Sequence, residues 1–133
     1  MDHVAIIDPA YVPLILSGEK SIESRLTKSK REPWNSLRAG DRIYFKARGG
    51  PYRAAATASR VYRFTLPAEI TIEELRARFD NAILGPDSYW DLKRESRYAV
   101  LAELSKPRAI DAGPGLVRRP GDRSAWHVIR SVA

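Results

Sequence analysis

Cysteine is absent from these 133 residues. Its absence removes disulfide frameworks, thiol nucleophiles, iron–sulfur clusters and thiolate zinc sites in one step. Histidine is scarce as well, with only His3 and His127 to offer imidazole ligands. A carboxylate-held magnesium would need grouped acidic residues, and nothing in the spacing asks for one. No cofactor and no metal are therefore expected. No phosphate-cradling glycine loop and no Ser/His/Asp arrangement is present either. Apolar runs are short, and none approaches the roughly 20 residues of a membrane-spanning helix. The opening Met1-Asp2-His3-Val4 has no basic segment followed by an apolar one. These features predict a soluble, cytoplasmic chain without membrane contact. Repeats, low-complexity tracts and dividing linkers are missing too, so residues 1–133 are read as one domain. At 44% hydrophobic composition it can bury a core unaided.

What is abundant is positive charge. The formal net charge is +7. Between Gly18 and Arg53 there are 10 Lys/Arg against 4 Asp/Glu, and from Ser105 onward 6 against 2, whereas residues 54–104 are nearly balanced at 7 against 8. Charge gathered in two segments fits a polyanion-binding face better than an evenly solvated surface.

Val4-Ala5-Ile6-Ile7 is a short apolar run stopped by Asp8-Pro9, which predicts a buried strand and a turn. Tyr11, Leu14 and Ile15 then recur at helical spacing up to Gly18, a natural C-terminal cap, giving a helix over 10–17. Ser21–Leu26 alternates apolar and charged residues as a half-buried strand does. A basic loop over 28–33 leads to a turn at Gly40 and the strand Arg42–Lys46. Gly49-Gly50-Pro51 reads as a hairpin connection, and Tyr52–Phe64 as a long strand or two. The clearest helix is 71–79, where Thr71 and Glu74 make a capping box and Ile72, Leu75 and Phe79 an apolar stripe. Residues 87–93 suit a further helical turn, and 98–104 and 125–129 suit closing strands. The glycine- and proline-broken stretch 111–123 is either a cleft wall or a flexible arm. The fold class is α+β, a small and mostly antiparallel β-barrel flanked by short helices.

The chemistry concentrates at Gly18-x-Lys20-x-x-Glu23-x-Arg25. In an extended segment Glu23 and Arg25 share one face and Ile22 and Ser24 the other, while Lys20 sits at the helix-to-strand junction. A lysine, a carboxylate and an arginine at a cleft mouth suit a phosphate or a polar nucleobase. Arginine grips phosphate through paired hydrogen bonds, lysine acts as a mobile charge, and Glu23 accepts from an exocyclic amine. The plainer alternative is a surface ion pair between Glu23 and Arg25, worth little. Lys46 and Arg48 add positive potential if their strand lines the same cleft. Lys28, Lys30 and Arg31 form a basic loop suited to salt-sensitive phosphate contacts. Phe45, Phe64, Phe79 and Trp126 are expected in the core. Trp34, Tyr89 and Trp90 lie in polar segments, where an aromatic either packs over a barrel end or stacks on a base. Trp90 is the stacking candidate carried forward.

The spacing Gly-x-Lys-x-x-Glu-x-Arg resembles the signature of the ASCH family, a branch of the PUA-like β-barrel superfamily. Pro33-Trp34, Gly40-Asp41-Arg42, Gly49-Gly50-Pro51 and a closing Ser124-x-Trp126-x-x-Ile129 extend that resemblance over most of the chain. It implies a PUA-like barrel and a partner that is RNA, single-stranded nucleic acid or a nucleotide, the protein being a monomer or homodimer. Two activities are associated with such proteins. Some members deacetylate acetylated cytidine with the signature lysine and a threonine at the position that is Glu23 here, so that activity lacks its hydroxyl unless Ser24 or Thr27 supplies one. Others are metal-independent ribonucleases. In that case Lys20 would stabilise the phosphorane, Glu23 act as general base and Arg25 clamp phosphate. Binding by Lys20, Glu23, Arg25, Lys28, Arg31, Lys46, Arg48 and Trp90 ranks first, ribonuclease activity second and deacetylation third.

Overall fold

Nine elements make up the computed structural model, which describes residues 1–130. In chain order they are β1 (Asp2–Ile7), α1 (Tyr11–Ser17), β2 (Ile22–Thr27), β3 (Arg42–Ala47), β4 (Tyr52–Thr65), α2 (Ile72–Ile83), α3 (Asp87–Leu92), β5 (Tyr98–Ala109) and β6 (Trp126–Ile129). The local signals account for most of them. Gly18 closes α1 in the left-handed region at φ 85°, its N–H bonded to the Ile15 carbonyl. Thr71 Oγ accepts from the Glu74 N–H at 3.1 Å and caps α2. Residues 111–123 contain no helix or strand but are tied down in places, with the Tyr52 hydroxyl donating to the Pro114 carbonyl.

The six strands form one sheet in the order β2-β5-β4-β3-β1-β6. Four of its five pairings are antiparallel, and β1 runs parallel to β3 from Asp2↔Arg42 to Ile7↔Ala47. The sheet is thus a mixed half-barrel, and the antiparallel expectation needs that correction. A parallel pair cannot be joined by a tight turn, and here α1, β2 and the basic loop supply the crossover. Register irregularities in β4, at Ala55/Thr57 and Ala58/Arg60, bend that long strand.

A core lies on each side of the sheet, the second covering only its β2–β5 side. One carries Ala5, Ile7, Ile43, Phe45, Val100 and Trp126 under α1, and the other carries Ile22, Leu26, Ala99 and Leu101 under α2 and α3. Alternation along β5 sends Val100 and Ala102 to the first core and Ala99 and Leu101 to the second. Phe45 is fully buried as expected, whereas Phe64 and Phe79 are half-buried at the margin of the second core. No helix among the described residues is long and apolar enough to cross a membrane.

His3 is fully enclosed beneath the first core. The Trp126 indole N–H donates to its Nδ1 at 3.1 Å, which leaves Nε2–H to donate to Asp41 Oδ2 at 2.8 Å. Asp41 also accepts from the Arg38 N–H and the N-terminal ammonium. Burial raises the Asp41 carboxyl pKa, but these three donors outweigh it and hold the group below its ordinary value.

Candidate functional site

The junction between α1 and β2 is fixed by backbone bonds. The Lys20 N–H bonds to Leu14 O, and the Ser21 N–H to Ala82 O in α2. That turn buries Lys20, which is 3% exposed. Its ammonium donates to Ile83 O at 2.6 Å and Ile22 O at 3.0 Å, and lies 4.7 Å from the centre of the Tyr11 ring. Burial lowers the Lys20 pKa and Arg25 lowers it further, while Glu23 and Asp80 pull it back up.

Glu23 and Arg25 project to the first-core side of β2, in register with Ala102 and Val100. Glu23 is 7% exposed, and its Oε1 accepts the N–H of Ser24 at 3.1 Å. Its other oxygen, Oε2, is buried with no hydrogen-bond partner. Arg25 Nε stands 3.8 Å from Oε1. Arg25 Nη2 donates to Ile6 O at 3.1 Å and Nη1 to Ala125 O at 3.2 Å, and the guanidinium lies 5.2 Å from the Trp126 ring centre. Strand β2 and strand β6 are the two ends of the sheet, so Arg25 spans the gap that a closed barrel would fill with a strand pairing. The plain surface ion pair is not what forms, because both partners are largely enclosed and each has further work.

The unpaired side of β2 shares in this arrangement. Ile22 O and Ser24 N–H, which an added strand would otherwise take, are occupied by Lys20 and by Glu23 respectively. Ser24 Oγ lies 2.8 Å from the Tyr89 hydroxyl, on the second-core side. Burial holds the Tyr89 hydroxyl protonated, with a pKa well above the usual phenol range, and Tyr11 is raised by burial and then by Glu23. Neither Ser24 nor Thr27 stands in for a hydroxyl at the Glu23 position: Ser24 faces Tyr89, and Thr27 Oγ1 donates to Ser29 O.

The remaining predicted residues are not gathered here. Lys28 is exposed and pairs with Glu95 at 3.6 Å, on the rim of a surface depression of about 700 Å³ away from the motif. Lys30 lies 5.7 Å from the Tyr98 ring centre, and Arg31 is exposed in the same loop. Lys46 alternates with the buried Phe45 and Ala47 and so occupies the outer face of β3, opposite to the first core. Arg48 is exposed in the following turn. Neither shares a face with Arg25. Trp90, the stacking candidate, is 4% exposed and belongs to the second core. Its indole packs where Gly85 leaves room, since a Cβ there would lie 2.8 Å from Trp90 Nε1. It is therefore unavailable to a base, and that assignment is corrected. Trp34 packs edge-on against Tyr98. Tyr11 and Tyr89 are the neighbours that the motif alone did not identify. Helical spacing marks Tyr11 as facing the sheet, but only the fold brings Tyr89 to β2.

No family model and no curated protein matches the chain. Solved structures do. The ASCH protein of Zymomonas mobilis aligns at TM-score 0.63 and 18% identity over 83% of this chain and 73% of that one. A tyrosine-to-phenylalanine mutant of the same protein aligns at TM-score 0.63 and 19% identity, covering 83% and 75%. The chain has the ASCH fold. The hypothetical protein PH0355 aligns at TM-score 0.52 and 19% identity, with 83% of this chain against all of that one. At these identities the likeness concerns architecture: the ASCH half-barrel, with α1 leading into β2, is what carries Lys20, Glu23 and Arg25 to the sheet edge.

Proposed function

We propose that this domain binds RNA or a nucleotide in the cleft around Lys20, Glu23 and Arg25. The observation that carries this is Glu23 Oε2, a buried carboxylate oxygen without a partner. Leaving such an acceptor empty costs about 1–3 kcal/mol, more for a charged group. An N–H donor from a ligand removes that cost, and the exocyclic amine of cytosine or adenine is such a donor. The Tyr11 ring lies 4.7 Å from the Lys20 ammonium, which puts an aromatic surface beside the motif's lysine. Outside the cleft, Lys28, Lys30 and Arg31 offer charge to a phosphate backbone.

Fluorescence anisotropy with a short labelled single-stranded RNA tests this. If the three loop cations neutralise three phosphates, raising salt from about 50 to about 200 mM weakens binding about 20-fold. Glu23→Gln keeps the shape of the side chain but supplies a donor as well as an acceptor, so preference for adenine- and cytosine-containing RNA over oligouridine falls. RNA that is not retained even at low salt overturns the proposal.

A metal-independent ribonuclease is the second reading, favoured by the lowered pKa of Lys20. Fragments released from labelled RNA in the presence of EDTA by the unmodified protein, but not by Lys20→Met, would establish it over binding alone.

A further inference from the structure

We propose that the side of β3 turned away from the first core is a second nucleic-acid surface, on which Arg42, Lys46 and Arg108 hold the phosphates of a single strand while Tyr44 stacks on a base. It lies apart from the cleft around Glu23 and does not depend on it.

Register brings these residues together. Ile43 and Phe45 fill the first core, so Arg42, Tyr44 and Lys46 emerge on the other side of β3. Their partners on β4 are Thr57, Ala55 and Tyr52, and Ala55 is in turn paired with Arg108 of β5. The second core lies on this same side of the sheet, but no residue of β1 or β3 belongs to it. Tyr44 therefore stands between Val4 of β1 and Ala55, whose shorter side chains are buried. Tyr44 and Lys46 are half-buried, and Arg42 and Arg108 are exposed.

The tyrosine is held in place before any ligand arrives. Arg42 Nη1 donates to its hydroxyl at 3.3 Å, and Tyr52 meets it edge to face at 6.2 Å between ring centres. Tyr52 is fixed in turn, its hydroxyl donating to Pro114 O and its ring lying against Gly113, where a Cβ would come within 2.9 Å. A preset ring limits the order lost on binding. The cations are uncommitted: among the described residues none of Arg42, Lys46 and Arg108 takes part in an ion pair. Of the strand residues on this side, Asp2 and Glu103 are acidic. Asp2 is in register with Arg42, and Glu103 accepts from the Tyr62 hydroxyl at 2.8 Å farther along β5. Exposed Arg48 and Arg53, around the β3–β4 turn, add further positive charge. Alternate residues of a strand stand about 7 Å apart, close to the step between phosphates in an extended single strand. Cations interleaved with an aromatic ring at that spacing suit a chain that offers phosphates and unpaired bases together.

Fluorescence anisotropy of labelled oligouridine tests this, with the full chain carrying Lys28→Gln, Lys30→Gln and Arg31→Gln so that the basic loop is silent. Uracil has no exocyclic amine, so recognition at Glu23 does not contribute either. Each of Arg42→Gln, Lys46→Gln and Arg108→Gln should lower the slope of log affinity against log salt by about 0.7. Tyr44→Leu should weaken binding about tenfold, the worth of one base–aromatic stack, while Tyr44→Phe keeps the ring and the affinity. The glutamine variants should melt as their parent does, because they remove no core contact, so the test stands even if Tyr44→Leu fails to fold. An unchanged slope in all three, or full affinity in a folded Tyr44→Leu, overturns the proposal. Capture by phosphatidylserine vesicles that needs the three cations, with oligouridine not retained, also overturns it and makes the partner a membrane surface. Oligouridine binding that disappears in Glu23→Gln assigns the strand to the cleft and overturns the second surface alone.

Discussion

Replacing Arg25 by methionine should cost this fold about 3 kcal/mol. The guanidinium gives up two charged hydrogen bonds, to Ile6 O and Ala125 O, each worth about 1.5–3 kcal/mol net. Its contact with the Trp126 ring adds about 0.5–1 kcal/mol. Glu23 loses its neighbouring cation and is left buried with one backbone donor, which places the change among broken buried pairs at about 3–5 kcal/mol. Methionine keeps the apolar stem against Trp126 and no longer requires a buried charge, so the low end of that range applies. For a domain whose whole stability is about 5–15 kcal/mol, the loss is large. Urea unfolding followed by circular dichroism and tryptophan fluorescence measures it. Arg25→Lys should recover less than half, because an ammonium cannot span both carbonyls as a planar fork does. Adding Glu23→Gln to Arg25→Met should return about 1–2 kcal/mol by removing the stranded charge. Hydrogen exchange should rise first in β2 and β6, at the two ends of the sheet, and not in β4 or β5. A loss below about 1 kcal/mol, or exchange that rises evenly over the sheet, would refute the assignment of Arg25 as the clamp between those ends.

Further outcomes follow from the same geometry. Gly85→Ala puts a Cβ 2.8 Å from Trp90 Nε1 and Tyr89 Cδ2, and the overpacking should cost about 1–3 kcal/mol in a thermal melt. Thr71→Ala removes the hydroxyl that caps α2 and should cost about 1 kcal/mol by urea denaturation. Asp41 has a folded pKa below its ordinary 3.8, so the unfolded chain takes up the proton first as pH falls. Its contribution is complete above that ordinary value and is lost as pH drops through the folded one. Asp41→Asn should flatten the acid limb of a stability-versus-pH curve, and an unchanged limb would show that His3 and its neighbours place no demand on the carboxylate.

Features written over a few residues were legible in the sequence. The Thr71–Glu74 box located α2, Gly18 located the end of α1, and alternation located β2 and β3. The Lys20, Glu23 and Arg25 constellation was legible as a group because its members lie within six positions. What each member touches was not. Ile83 O is 63 residues from Lys20 and Ala125 O is 100 residues from Arg25, and no local pattern encodes such pairings. The parallel β1–β3 ladder was hidden for the same reason, as hairpin signals report only neighbours in sequence. Trp90 misled because its segment, Asp87–Leu92, is polar around it. The hydrophobic pocket that accepts the indole comes from other elements, and the room for it from Gly85.

The occupied edge of β2 also bears on how these chains meet one another in solution. An edge strand with free carbonyl and amide groups is a template for the same strand in the next molecule. Here Lys20 holds the Ile22 carbonyl and Glu23 the Ser24 amide, so the side chains proposed to meet a ligand are also placed to keep neighbouring copies from adding on. A ligand that draws Lys20 or Glu23 away uncovers those groups and must itself shield them. Variants at these two positions consequently lose more than affinity: they gain a self-association route through β2, visible as concentration-dependent assembly in preparations that still fold.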